Sequence, residues 1–264
     1  MKAEALSRNA RRSILQMTSA ANASHVGSCL SVVDILATLY AGVANVSPSS
    51  IHSSNRDRII LSKGHSAAAL YAVLAEMGFI DKSELATYSQ NGARLGGHVT
   101  ATVPGVELST GSLGHGLPYG IGLAISQKAS DSCACVYVVL SDGELDEGTT
   151  WESALIANHL KLTNLKVIVD RNRLQSLKST EETIQLEPLG DKFRSFGWNV
   201  VTCDGHNHLE IAKALEADGP LVLIAETTKG KGVDFMENSV PWHYKSANPE
   251  QLNNALEQLP EIFE

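Results

Sequence analysis

Between Val138 and Leu174 the chain puts a carboxylate at the end of one apolar run and an amide at the end of the next. Ser141-Asp142-Gly143 follows the first run, and Asn172 and Leu174 follow the second. The runs, residues 135–140 and 165–170, read as buried parallel strands joined through a helical segment at 149–160. Two neighbouring strand ends would then present Asp142 and the side-chain oxygen of Asn172, hard ligands suited to Mg²⁺ or Ca²⁺. A metal so held keeps room for diphosphate oxygens, and the carboxyl edge of a parallel sheet is where such ligands bind. Taken alone, Asp142-Gly143 is more simply a turn from strand to helix.

Four histidines stand in segments built for close approach. His25 lies in Asn22-Ala23-Ser24-His25-Val26-Gly27, between two helical patterns. His65 ends Ser62-Lys63-Gly64-His65, a sharp turn after the strand pattern 58–61. His98 closes Arg94-Leu95-Gly96-Gly97-His98, and His243 sits in Pro241-Trp242-His243-Tyr244-Lys245, beyond Lys229-Gly230-Lys231-Gly232. Each alone is more simply a surface or capping residue. A histidine directed at a diphosphate gives a charge-assisted bond when protonated. The stretch Thr110-Gly111-Ser112-Leu113-Gly114-His115-Gly116 is small enough to let backbone approach a flat ring, and His115 within it reads equally as a surface residue. Glu147 and Glu152 flank Trp151 at a helix start, where acidic residues also simply complement the helix dipole.

These residues need a sheet to bring them together. Helical patterns cover residues 3–20, 31–41, 66–77, 113–129, 149–160, 191–196 and 209–217, and strand patterns cover 58–61, 135–140, 165–170, 199–203 and 221–226. Their alternation predicts an α/β fold: a doubly wound, mostly parallel sheet with helices on both faces. The stretches 83–111 and 174–189 have no clear period and read as functional loops. A chain of 264 residues with 43% hydrophobic residues fits a single domain spanning 1–264. A net charge of −8 gives no footprint for nucleic acid. No apolar run approaches the roughly 20 residues that cross a membrane, and the first residues read as an amphipathic helix rather than a secretory signal. Cys29, Cys133, Cys135 and Cys203 form no metal or disulfide pattern and read as reduced cysteines of a cytoplasmic protein.

The pattern resembles the amino-terminal, thiamine diphosphate-binding part of transketolases, whose motif reads Gly-Asp-Gly, about thirty residues, then Asn. The resemblance implies thiamine diphosphate with Mg²⁺ (Ca²⁺ or Mn²⁺ as alternatives), held by Asp142, Asn172 and the Leu174 carbonyl. It implies cofactor contacts from His65, Gly111, Leu113, Gly114, Gly143, Glu144, Asn172 and His243. His25, His65, His98 and His243 become the catalytic donors and proton carriers, and Glu147 and Glu152 a proton network across a dimer interface. Ser141, Ser24, Val26, Val99 and Tyr244 depart from the family pattern. The family's activating Glu lies on a pyrimidine-binding domain that has no counterpart in this sequence. The resemblance therefore implies the amino-terminal subunit of a split transketolase, paired in an α₂β₂ assembly with a carboxy-terminal partner and moving a two-carbon ketol unit between sugar phosphates. The alternatives are a non-catalytic or regulatory cofactor-binding paralogue, or a relative acting on α-keto acids, such as a deoxyxylulose phosphate synthase. A nicotinamide enzyme is disfavoured, because no G-x-G-x-x-G follows the first strand.

Overall fold

The computed structural model describes residues 2–260. Five parallel strands form one sheet in the order β1-β2-β3-β5-β4. They are β1 Arg58–Leu61, β2 Val136–Ser141, β3 Leu165–Arg171, β4 Asn199–Asp204 and β5 Leu221–Glu226. The five expected strands are all present within a residue or two. β2 and β3 are buried along their whole length, as central strands covered on both faces must be.

Side chains alternate across each strand, and the two faces build two cores. On one face, Ile59, Leu61, Tyr137, Val139 and Ile168 pack with α1 Ala3–Ala20, α2 Val26–Thr38 and α3 Ala67–Glu76. On the other, Ile60, Val136, Val138, Leu140 and Val167 pack with α4 Gly116–Ala129, α5 Gly148–His159 and, past the short α6 Thr180–Thr183, α7 Leu189–Ser195. The chain then runs through α8 His208–Leu215 to α9 Pro249–Glu257, which docks on α1. The stretch 26–43 is apolar and long enough to cross a membrane, but 83% of it is buried inside the fold.

Helix starts differ most from the sequence reading, and each difference has a local cause. α2 begins at Val26, earlier than residue 31, because His25 takes a left-handed conformation (φ 76°) that turns the chain directly into the helix. α4 begins at Gly116 rather than 113, because Gly114 is left-handed (φ 80°) and holds the preceding segment out of helical geometry. α9 carries a start signal in the sequence, an Asn248–Gln251 capping box with Pro249 at the first turn.

Candidate active site

Because the strands are parallel, their carboxyl ends open on one edge, and residues that follow β1, β2, β3 and β5 meet there around a cavity of ≈ 260 Å³. The chain has roomier clefts of ≈ 810 and ≈ 540 Å³ beside α1 and α8. The chemistry nevertheless converges on the smaller one, so we place the site there.

One wall carries oxygens. Asp142 is buried, and among the described residues its Oδ1 accepts only the adjacent Gly143 N–H, at 2.8 Å. Its Oδ2 accepts the Arg173 N–H at 2.6 Å and Arg171 Nη1 at 3.2 Å. Burial, then the nearby Asp170 carboxylate, raise its pKa, while Arg171 pulls it down. Asn172 Oδ1 accepts the Leu174 N–H at 3.1 Å. The Leu174 and Gln175 carbonyls accept the Lys229 ammonium at 2.9 and 3.1 Å. A cation thus already sits on the carbonyl expected to ligate metal. Among the described residues no three His, Cys, Asp or Glu side chains cluster to hold a metal. A set of one carboxylate, one amide oxygen and one carbonyl suits a hard ion whose remaining ligands come from a diphosphate and water. The residues present fit that group.

Ser141 fits where the family pattern has Gly. It lies in β2 without a positive φ, and its hydroxyl accepts the Glu144 N–H at 3.2 Å. Glu144 does not line the cavity. It is fully buried behind the wall, accepting the Gly114 N–H at 2.8 Å, the Ser141 N–H at 3.2 Å and the Ser62 hydroxyl. Its part is to hold the Gly114 turn, so that Gly111 and Leu113 face the cavity. At Gly114 an added Cβ would lie 2.4 Å from Thr149 Oγ1. Gly64 permits a still closer approach, since a Cβ there would lie 2.2 Å from the Thr110 carbonyl oxygen. Gly143 borders the cavity opposite Gln175.

The opposite wall carries the four histidines. Ring centroids of His25 and His65 are 5.2 Å apart, His25 and His98 5.8 Å, and His25 and His243 5.0 Å. The His25 N–H donates to the His243 carbonyl at 2.7 Å, which ties the two segments together. Val99 departs from the Pro of the resembled pattern. Its N–H donates to the Gly64 carbonyl at 3.1 Å, a bond that Pro could not make, and so joins the His98 loop to the His65 turn. Tyr244 is exposed outside the cavity, with its ring 4.9 Å from that of His243. His115 is exposed, its Nδ1 2.9 Å from the Leu113 carbonyl. Glu147 and Glu152 are exposed on the single chain, beside the exposed apolar Leu155 and Ile156 of α5.

The charge-assisted bond expected from His65 is not what the site offers. Burial, followed by Lys63, holds His65 well below its ordinary pKa, so it is neutral. Burial, then His98 and Lys229, lowers His25 to about 4. Burial, then Lys229 and His25, lowers His243 to about 3. The positive charge comes instead from two lysines to which the motifs assign no role. Lys63 is fully buried and paired with Asp170. Lys229, lowered to about 8 by burial and then by Lys63, donates to His243 Nδ1 at 3.0 Å. Ser28, Gln175 and Ser176 complete the lining. The signals for the lysines are Lys-Gly-His after one strand and Lys-Gly-Lys-Gly after another, cationic side chains beside glycines at strand ends.

The sign of the pH effect follows from His25 and His243. Between about pH 4 and the ordinary histidine value of 6.5, the unfolded chain binds protons at these positions and the folded chain does not. Their neutral burial therefore costs nothing above 6.5 and destabilises increasingly as pH falls from 6.5 toward 4. The melting temperature of the ligand-free chain is expected to drop over that range. The drop should be visibly shallower in His25→Asn/His243→Asn, Asn being a residue that accepts the left-handed conformation at position 25. Parallel melting curves for the two proteins would contradict the assignment of neutral histidines.

Comparison with known proteins is consistent with this geometry. The family described as "Transketolase, thiamine diphosphate binding domain" matches residues 4–252. One of the subunits of the apulose-4-phosphate transketolase of Phocaeicola vulgatus is 38% identical over 259 residues, covering 96% of this chain and 92% of that protein. The 6-deoxy-6-sulfo-D-fructose transketolase subunit SqwG of a Clostridium species is 38% identical over 242 residues, covering 89% of this chain and 88% of that protein. The crystal structure of Campylobacter jejuni transketolase superposes with a TM-score of 0.91 at 30% identity, over 97% of this chain. This chain spans only 42% of that one.

Proposed function

Since the chain belongs to the transketolase family, we propose that it is the diphosphate-binding subunit of a two-chain transketolase, moving a two-carbon ketol unit from a ketose phosphate to an aldose acceptor. The observation that carries this reading is the convergence of Asp142, Asn172, the Leu174 carbonyl and four histidines on one cavity. Relatives of matching length are named as subunits of transketolases, which supports a separate partner carrying the pyrimidine-binding domain and the activating Glu. The four cysteines are free, as suits a reducing cytoplasm.

Asp142, Asn172 and the Leu174 carbonyl would hold Mg²⁺, with Lys63 and Lys229 balancing the diphosphate charge and His65 and His243 donating as neutral imidazoles. Gly111 and Leu113 would approach the rings. Thiamine diphosphate, when bound, supplies an electron sink for the two-carbon fragment. His25 and His98 stand on the same cavity and would serve the sugar. A neutral imidazole accepts the hydroxyl proton whose departure lets the donor's carbon–carbon bond break into an aldehyde, while the electron pair stays with the fragment. The same proton returns to the acceptor's carbonyl oxygen as the new bond forms. Glu147, Glu152 and the apolar side of α5 would meet a second copy, giving α₂β₂.

Co-expression with the partner chain, followed by assay of glycolaldehyde transfer with thiamine diphosphate and Mg²⁺, tests the proposal. Turnover is expected from the pair and from neither chain alone. A stable, cofactor-loaded complex that turns over no member of a broad ketose panel would sink the enzymatic reading. Activity from this chain alone would refute the divided site.

A further inference from the structure

The Lys229 ammonium has three protons to give, and three acceptors take them. It donates to the Leu174 carbonyl at 2.9 Å, to the Gln175 carbonyl at 3.1 Å and to His243 Nδ1 at 3.0 Å. An ammonium can only donate and a carbonyl can only accept, so the proton between Lys229 and His243 belongs to the lysine. His243 Nδ1 is the acceptor of that bond. Among the described residues, no ring nitrogen of His25, His65 or His98 has a hydrogen-bond partner, and neither has His243 Nε2.

The backbone holds both members of the pair in place. The Gly230 N–H donates to the Gly27 carbonyl at 3.0 Å, and the Asn238 N–H donates to the Lys229 carbonyl at 2.9 Å. The His25 N–H fixes the other member through the His243 carbonyl at 2.7 Å. Gly27 also leaves the lysine stem its path, since a Cβ there would lie 3.3 Å from Lys229 Cγ. Lys229 is buried along that stem, so the contact is built into the fold.

We infer that Lys229 fixes His243 as the tautomer protonated at Nε2 and so makes it a donor that cannot accept. A neutral imidazole carries one proton, and the bond made by one nitrogen decides which of the two holds it. With Nδ1 accepting from Lys229, the proton sits on Nε2, at the opposite edge of the ring. Taking up a second proton would have to use Nδ1, against the ammonium. The hydroxyl proton released when a ketose is cleaved therefore goes to His25, His65 or His98, whose rings can present a bare nitrogen. Lys229 is the positioning residue, and His243 is the group that meets an oxygen in the cavity. The inference deepens the proposed function and rests on it for what that oxygen is.

The test uses the complex with its partner, with ¹⁵N-labelled histidine and lysine in this chain alone. Solid-state nuclear magnetic resonance at neutral pH, with and without thiamine diphosphate and Mg²⁺, reads each ring nitrogen as protonated or bare. The His243 signals are those lost in His243→Asn. In both states Nε2 is expected to be protonated and Nδ1 bare, with a direct contact between Nδ1 and Lys229 Nζ. Lys229→Met should shift both nitrogens toward the averaged position of a tautomer mixture. A purely structural lysine would lower the melting temperature on substitution and leave the tautomer alone. A bare Nε2 or an averaged ring in the wild type overturns the inference, and so does a Lys229→Met protein that keeps the wild-type tautomer. Should that variant not fold, absence of the Nζ–Nδ1 contact in the wild type overturns it instead. A complex with the fixed tautomer that turns over no ketose would sink the proposed function and leave the assignment of the proton standing, which separates the two failures.

Discussion

Asp142→Ala is expected to abolish retention of thiamine diphosphate in the presence of Mg²⁺. Asp142 is the one carboxylate in the proposed ligand set, so its loss leaves two neutral oxygens from Asn172 and Leu174. It also leaves Arg171 without the charge it faces across 3.2 Å, so that the site repels a divalent ion. Removing a supporting residue weakens metal binding about 10–100-fold, and removing a charged ligand should reach or pass the upper end of that range. Equilibrium dialysis with labelled cofactor at saturating Mg²⁺ reads the loss directly. Asp142→Asn is the informative partner, since it keeps an oxygen and discards the charge. The ligand-free protein should melt close to the wild type, because burial already strains the carboxylate toward protonation and Arg171 keeps Thr180, Glu181 and Glu187. Undiminished cofactor retention in Asp142→Ala would remove the metal assignment.

What the sequence displayed was the sheet and the residues at its edge. Apolar runs ending in Asp-Gly, Lys-Gly-His and Asn announce buried strands with polar termini, and those strands are local features. Hidden from it was everything that depends on a partner distant in sequence. The start of α4 is set by Glu144, thirty positions beyond Gly114, which draws the Gly114 N–H out of helical geometry. The resemblance makes Glu144 a cofactor contact, yet its three side-chain hydrogen bonds turn it away from the cavity. Lysine ordinarily reads as a surface residue, so only the fold shows Lys63 and Lys229 buried at the centre of the site. Arg171 is hidden for the same reason, as its acceptors are spread from Asp142 to Glu187. The neutral state of His25, His65 and His243 is likewise a property of burial and of nearby charges such as the two lysines, and no motif encodes it.

The largest stability effect is expected at Lys63. Its ammonium and the Asp170 carboxylate are both fully buried and paired, and Ser31 Oγ at 2.7 Å and the Thr227 hydroxyl complete the carboxylate's shell. The pair joins the end of β1 to the end of β3, across β2, and so holds the edge on which Asp142 and Asn172 stand. Lys63→Met keeps the length of the side chain but strands Asp170 as an uncompensated charge away from water. Breaking a buried pair from one side costs about 3–5 kcal/mol. For a domain of this size that is a fall in melting temperature of roughly 10 °C. The origin of the loss can be isolated, because Lys63→Met/Asp170→Asn removes the orphaned charge while leaving an amide that the Ser31 and Thr227 hydroxyls can still reach. If the stranded carboxylate is the cause, the double variant should recover much of the stability lost by the single one. It should not recover cofactor affinity, since Lys63 lines the cavity where the diphosphate charge would sit. A double variant no more stable than Lys63→Met would instead assign the loss to packing around the lysine stem. Stability and affinity separate in this way because Lys63 answers two negative charges at once, one in the fold and one in the ligand.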